Sequence, residues 1–171
     1  GDITLPELKT ERFRLTLSSF GLLADADRLN EQYVNFLSQS VFLMDGARNF
    51  VQKLSLHFLI CMVTNGIHNN QVGRLRLSGL LPFTHTMVTS EEAGAPKPDP
   101  AVFEEALRRC PGLSKKDCLL IGDSESADIL GAQNFGIDAI WFNPQKKAAR
   151  LNTHPLLEVS SYSEIERFLQ I

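Results

Sequence analysis

LLIGDSESADILGAQ, residues 119–133, begins inside an apolar run, breaks at Gly122 and then sets two carboxylates, Asp123 and Asp128, five positions apart. A short continuous apolar run reads as a strand buried on both faces, as in a parallel sheet shielded by crossover helices. In such sheets ligands bind just beyond the carboxyl ends of the strands, where these two acids stand. Gly122 admits a close approach and leaves the acids facing one point. Oxygen ligands of this kind suit Mg²⁺, which takes one or two carboxylates, several waters and the oxygens of a substrate phosphate. The competing reading is structural: Asp123 caps the helix that follows, and Asp128 is a first-turn acid favoured by the helix dipole.

Outward from this stretch the texture repeats. Further apolar runs lie at 57–63, 86–88, 139–142 and 156–159, and helix-period stretches at 47–54, 71–78, 101–109, 127–135 and 163–169. Alternation of the two predicts an α/β fold with a doubly wound parallel sheet. The first forty-odd residues differ. Thr4 and Glu7 have the spacing of a capping box, Leu8, Phe13, Leu15 and Phe20 fall roughly on one helical face, and Gly21 ends it. After Asp25 or Asp27 as N-cap, Leu29, Tyr33, Phe36 and Leu37 mark a second helix. The domain boundary is expected at 44/45.

Composition bounds the function classes. With 43% hydrophobic and 22% charged residues in 171, the chain can bury a sizeable core. A net charge of −3 without basic runs gives no electrostatic footprint for a nucleic acid polymer or an anionic membrane. Cys61, Cys110 and Cys118 lack metal or disulfide spacing and are expected to be reduced thiols. No apolar run reaches membrane length, so a cytoplasmic setting is expected. The chain opens on Gly1 rather than Met and reads as the middle of a longer protein.

Two more strand ends carry chemistry. The run at 57–63 leads into Thr64-Asn65-Gly66, a hydroxyl followed by a turn whose backbone N–H groups can cradle an anion. Beyond 86–88, Pro96 and Pro98 flank Lys97, hold the backbone extended and aim one ammonium. Alone, Thr-Asn-Gly is a turn and Lys97 a solvated loop lysine. Together with Asp123 and Asp128 they form a phosphate- and cation-holding set at three successive strand ends.

VTNG, GAPKPDPAVFEEAL and LLIGDSESADILGAQNFGID resemble the second, third and fourth motifs of the haloacid dehalogenase-like (HAD) superfamily. GDITLPELKTERF, LMDGA and DAIWFNP are most similar to its bacterial pyrimidine 5′-nucleotidases with an inserted helical cap. The resemblance implies a Rossmannoid sheet with a partial helical cap, residues 1–44 being the remainder of the cap and 45–171 the core. It implies a Mg²⁺-dependent phosphomonoesterase acting through an aspartyl-phosphate on a small phosphorylated metabolite, a nucleoside 5′-monophosphate. Thr64 would hold the phosphate by its hydroxyl and Asn65 by its amide. Lys97 would offset the charge of phosphate and nucleophile. Asp123 would ligate Mg²⁺, and Asp128 would support the metal or its waters, and the lysine.

One part of the family pattern is missing. The first motif, Asp-x-Asp-x-Thr/Val at the end of a central strand, supplies nucleophile and general acid. Its only textual match is Asp25-Ala26-Asp27-Arg28-Leu29, which a helix cap explains. The nucleophile is therefore expected upstream of this chain, with the N-terminus truncated, the 171 residues alone inactive, and the chain's own N-terminal fragment a candidate partner. The alternative is a catalytically inactive HAD-like module that binds phosphate or a partner.

Overall fold

In the computed structural model, which describes residues 5–39 and 41–171, the chain divides into two compact units, Gly1–Val41 and Phe42–Ile171. The first holds helices α1 (Leu5–Ser19) and α2 (Ala26–Gln39). Phe13 of α1 meets Tyr33 of α2 edge to face at 5.6 Å, and the Arg12 guanidinium lies over both rings. Asp25 Oδ1 accepts from the backbone N–H of Asp27 (3.0 Å) and of Arg28 (3.1 Å). Asp25 is thus the N-cap of α2, satisfying amides that have no partner within the helix. Asp27 lies in the first turn, where the helix dipole favours an acid. The capping box read at Thr4 and Glu7 falls outside the described residues.

The second unit is α/β. Strands β1 (Cys61–Thr64) and β2 (Thr86–Thr89) pair in parallel, and β3 (Leu119–Gly122), β4 (Asp138–Phe142) and β5 (Leu157–Val159) form a second parallel sheet in that order. Between the strands run α4 (His68–Leu77), the single turn α5 (Ser90–Ala93), α6 (Ala101–Arg108) and α7 (Leu130–Phe135); α3 (Ala47–Ser55) precedes β1 and α8 (Tyr162–Leu169) closes the chain.

Period-two alternation in β4 shows why both faces are covered. Ile140 and Phe142 join Phe50 and Leu54 of α3 and Ile165 of α8. Ala139 and Trp141 point the other way, against Ile129 and Ala132. The core also runs between the sheets: Cys61 and Val63 of β1 share an apolar cluster with Leu120 of β3 and with Val88, Phe103 and Phe135. No ladder joins β1 to β3 among the described residues.

Expected boundaries move, among them the start of the helix read at 71–78, which lies at His68. The strand read at 57–63 begins only at Cys61, because His57 and Phe58 donate their N–H groups back to the Leu54 carbonyl and finish α3. The helix read at 127–135 opens as a wide π turn, Glu125–Ile129, in which the N–H of Ile129 reaches the Ser124 carbonyl. The three cysteines are free thiols.

Candidate active site

The end of β3 shows how two similar acids come to differ. Ser124, not Asp123, is the N-cap: its hydroxyl accepts from the N–H of Ala127 at 3.1 Å. Asp123 is thereby released from capping, is exposed, and makes no carboxylate hydrogen bond or ion pair among the described residues. Its backbone is held: the indole N–H of Trp141, which pairs with Gly122 across the ladder, donates to the Asp123 carbonyl at 3.1 Å.

Asp128 is folded back by the π turn and is only 5% exposed. Its Oδ2 accepts from the N–H of Ser124 (3.0 Å), and its Oδ1 receives the Lys97 ammonium (2.6 Å). Each oxygen of Asp128 thus accepts one hydrogen bond, one of them from the lysine. Gly122 makes the arrangement sterically possible. A Cβ there would stand 2.4 Å from Asp128 Cβ, closer than atoms can sit.

Lys97 comes from the loop between α5 and α6. Its side chain is 12% exposed, and besides Asp128 its Nζ donates to the Val63 carbonyl of β1 at 2.8 Å. One ammonium therefore bridges β1 and the segment after β3, across the break between the sheets. Partly buried, paired and given two acceptors, the charge avoids the desolvation penalty that an isolated lysine would meet.

At the end of β1, the Thr64 hydroxyl makes no hydrogen bond among the described residues. Asn65, expected to offer its amide to phosphate, spends both amide atoms on the backbone of Lys97: Oδ1 accepts its N–H at 2.7 Å and Nδ2 donates to its C=O at 3.1 Å. The expected cradle of backbone N–H groups is partly occupied too, Gly66 donating to Ser90 Oγ (3.0 Å) and His68 to the Glu91 carboxylate (2.8 Å). The geometry thus sorts the expected residues into two sets. Thr64 and Asp123 are open to a ligand, while Asn65, Lys97 and Asp128 form a connected frame behind them.

A second network braces that frame. Thr89, fully buried at the end of β2, and Glu92 form a capping box around α5. Glu92 also receives Arg109 at 3.0 Å and lies 2.9 Å from His68 Nδ1. Burial works to raise the Glu92 carboxyl, but the nearby His68 and hydrogen bonds from Arg109 and Thr89 outweigh it and hold the group at about 2. Sequence reading missed this network and Trp141. The Thr89-Ser90-Glu91-Glu92 capping-box spacing was a usable signal for the first; for Trp141 there was none, because its partner lies across a strand pair.

Residues 6–136 match the haloacid dehalogenase-like hydrolase family. The chain belongs to that family. The HAD-hydrolase YfnB of Bacillus subtilis is 36% identical over 171 residues, all of this chain and 73% of YfnB. Its magnesium-bound crystal structure superposes with a TM-score of 0.91, covering 99% of this chain and 74% of YfnB. The pyrimidine 5′-nucleotidase PynA of Streptococcus pneumoniae is 36% identical over 164 residues, 95% of this chain and 69% of PynA. The chain is thus of an enzyme family, the HAD hydrolases, and is related to pyrimidine 5′-nucleotidases. The L-2-haloacid dehalogenase of Xanthobacter autotrophicus, 14% identical with a TM-score of 0.80 over 94% of this chain and 74% of the dehalogenase, shares the fold.

Proposed function

We propose that this chain carries the phosphate-holding and cation-holding groups of a Mg²⁺-dependent phosphomonoesterase for small phosphate esters, with a nucleoside 5′-monophosphate as substrate. The observation that carries the proposal is the sorting at the strand ends: a hydroxyl at the end of β1 and a carboxylate after β3 have no hydrogen-bond partner among the described residues, while a lysine is tied to Val63 of β1 and to Asp128. That is the order of charges a phosphate ester and a hard cation require.

Among the described residues no group of three metal-ligating side chains converges. One free carboxylate at Asp123 nevertheless fits Mg²⁺, which keeps waters and shares substrate oxygens rather than demanding a full protein cage. When bound, the ion would neutralise phosphate charge and polarise its oxygens. The chain's own residues would do the rest. Thr64 would donate its hydroxyl to a phosphoryl oxygen, and the Lys97 ammonium would offset charge building on the phosphoryl group in the transition state. Asp128 would keep that ammonium in place.

The attacking carboxylate is proposed to arrive on an Asp-x-Asp strand inserted between β1 and β3. The absent ladder between those strands supports this, and so does the capping role of Asp25, which accounts for the one Asp-x-Asp text in the sequence. Residues 1–44 are proposed as part of a helical cap and 45–171 as the core. A small phosphorylated metabolite, a cytoplasmic setting and the chain's own N-terminal fragment as protein partner complete the proposal.

The test is hydrolysis of nucleoside 5′-monophosphates and p-nitrophenyl phosphate. A form carrying an Asp-x-Asp strand is expected to turn both over in Mg²⁺, with Asp123→Asn losing most activity at limiting metal, and residues 1–171 alone are expected to be inactive. Turnover by residues 1–171 that disappears in Asp25→Asn would overturn the assignment of the nucleophile. An extended form that binds phosphate without hydrolysing it would favour the inactive binding module.

A further inference from the structure

We infer that Asn65 is a positioning residue for Lys97 rather than a phosphate ligand, so that the segment Val63–Asn65 at the end of β1, together with Asp128, sets the spacing between the phosphate-holding hydroxyl and the charge-offsetting ammonium. The inference deepens the phosphatase reading and rests on it for its functional meaning.

The geometry is a double clasp. The amide of Asn65 grips both polar backbone groups of Lys97, accepting from its N–H at 2.7 Å and donating to its C=O at 3.1 Å. This is the pairing that a neighbouring strand would give, and it fixes the peptide planes on either side of Lys97 together. From the opposite end, the Lys97 ammonium returns to the Val63 carbonyl at 2.8 Å. Val63 and Asn65 flank Thr64 in sequence. Lys97 is therefore tied to the residue before Thr64 by its side chain and to the residue after it by its backbone. The loop carrying Lys97 is also held by the Asp99 N–H on the Pro96 carbonyl (2.9 Å) and by Asn134 Nδ2 on the Pro98 carbonyl (3.3 Å), but neither bond touches the Lys97 backbone, and Pro96 and Pro98 have no N–H to donate.

Asn65 has the chemistry for this duty because its side chain pairs a donor with an acceptor in one plane, as the peptide group does. A direct phosphate ligand would need its N–H groups free, and Nδ2 has already committed one. The charge on Lys97 makes the position worth holding, since an ammonium displaced by an ångström offsets much less of a phosphate's charge in a site closed to water.

The experiment reads Lys97 itself. Lysines of the chain and of Asn65→Ala are acetylated with limiting N-hydroxysuccinimide acetate and the rate at each position is followed by peptide mass spectrometry. Lys97 is expected to label at least about fivefold faster in Asn65→Ala, the factor that one net hydrogen bond represents. Lys115, held by the Phe135 carbonyl at 2.6 Å, is the internal control and should not change. The isosteric Asn65→Asp keeps the acceptor and loses the donor, and should fall between the two. In parallel, binding of orthovanadate in Mg²⁺ is measured by calorimetry. Unchanged Lys97 labelling in both variants, with or without weakened vanadate binding, overturns the inference, as does equal acceleration at Lys97 and Lys115. A form carrying an Asp-x-Asp strand that neither binds vanadate nor hydrolyses phosphate esters counts against the phosphatase reading instead, because the labelling comparison does not use turnover.

Discussion

Asp123 and Asp128 carry the same carboxylate five residues apart, and their surroundings give them opposite duties. The first is exposed and its carboxylate makes no hydrogen bond or ion pair among the described residues; the second is buried, with one oxygen on Lys97 and the other on a backbone N–H. Their presence after a strand was legible in the sequence, as was the pairing of charges with Thr64 and Lys97. Which acid is free was not, because that depends on a π turn and on Ser124 taking the cap. Removing one member of a buried pair leaves the other charge unsolvated. Asp128→Ala is therefore expected to cost roughly 3–5 kcal/mol of stability, measured by urea unfolding, and Asp128→Ala combined with Lys97→Met should recover much of that loss. Equal losses in the single and double variants would mean that the pair is not what holds the two segments together.

At the scale of elements, the cap at Asp25 was legible because its partners are neighbours along the chain. The capping box at Thr89 and Glu92 rests on an equally local signal that the sequence reading passed over. The capping box has a consequence for pH. The Glu92 carboxyl is held at about 2, below its ordinary 4.5, so its contribution to stability is fully present above pH 4.5 and is lost as pH falls through about 2. Thermal unfolding of the chain should fall between pH 6 and pH 3, and the fall should be smaller in Glu92→Gln, whose side chain cannot titrate. Because Glu92 is partly exposed, salt should reduce the difference. An identical fall in parent and variant would mean that the network with Arg109 and Thr89 contributes nothing.

At the scale of the whole molecule the break between β1 and β3 governs behaviour. Their apolar side chains pack into shared clusters, yet their backbones do not pair with each other among the described residues. Such edges are templates for another strand. β4 is the strand with a partner on each side. In hydrogen exchange at neutral pH, the amides of Ala139 to Phe142 should be the slowest of residues 1–171, with those of β1 and β3 clearly faster despite equally apolar sequences. Addition of a strand between the two sheets should slow β1 and β3 together and leave β4 nearly as before. Protection in β1 and β3 equal to that in β4 without such a strand would show that the edges are already satisfied.

Sequence by itself determined the class of the fold, the order of its elements and the strand ends at which chemistry gathers, because period, turn residues and caps act over a few neighbouring residues. The family followed from motifs that place Thr64, Lys97 and Asp123 at those ends. Only the tertiary structure decided which of these groups have hydrogen-bond partners among the described residues and which do not. Asn65 and Lys97 stand 32 residues apart, Lys97 and Asp128 31, and Trp141 and Asp123 18. Contacts across such separations have no local signature; they exist because parallel strands bring distant residues to one edge, where burial forces each polar group to find a partner.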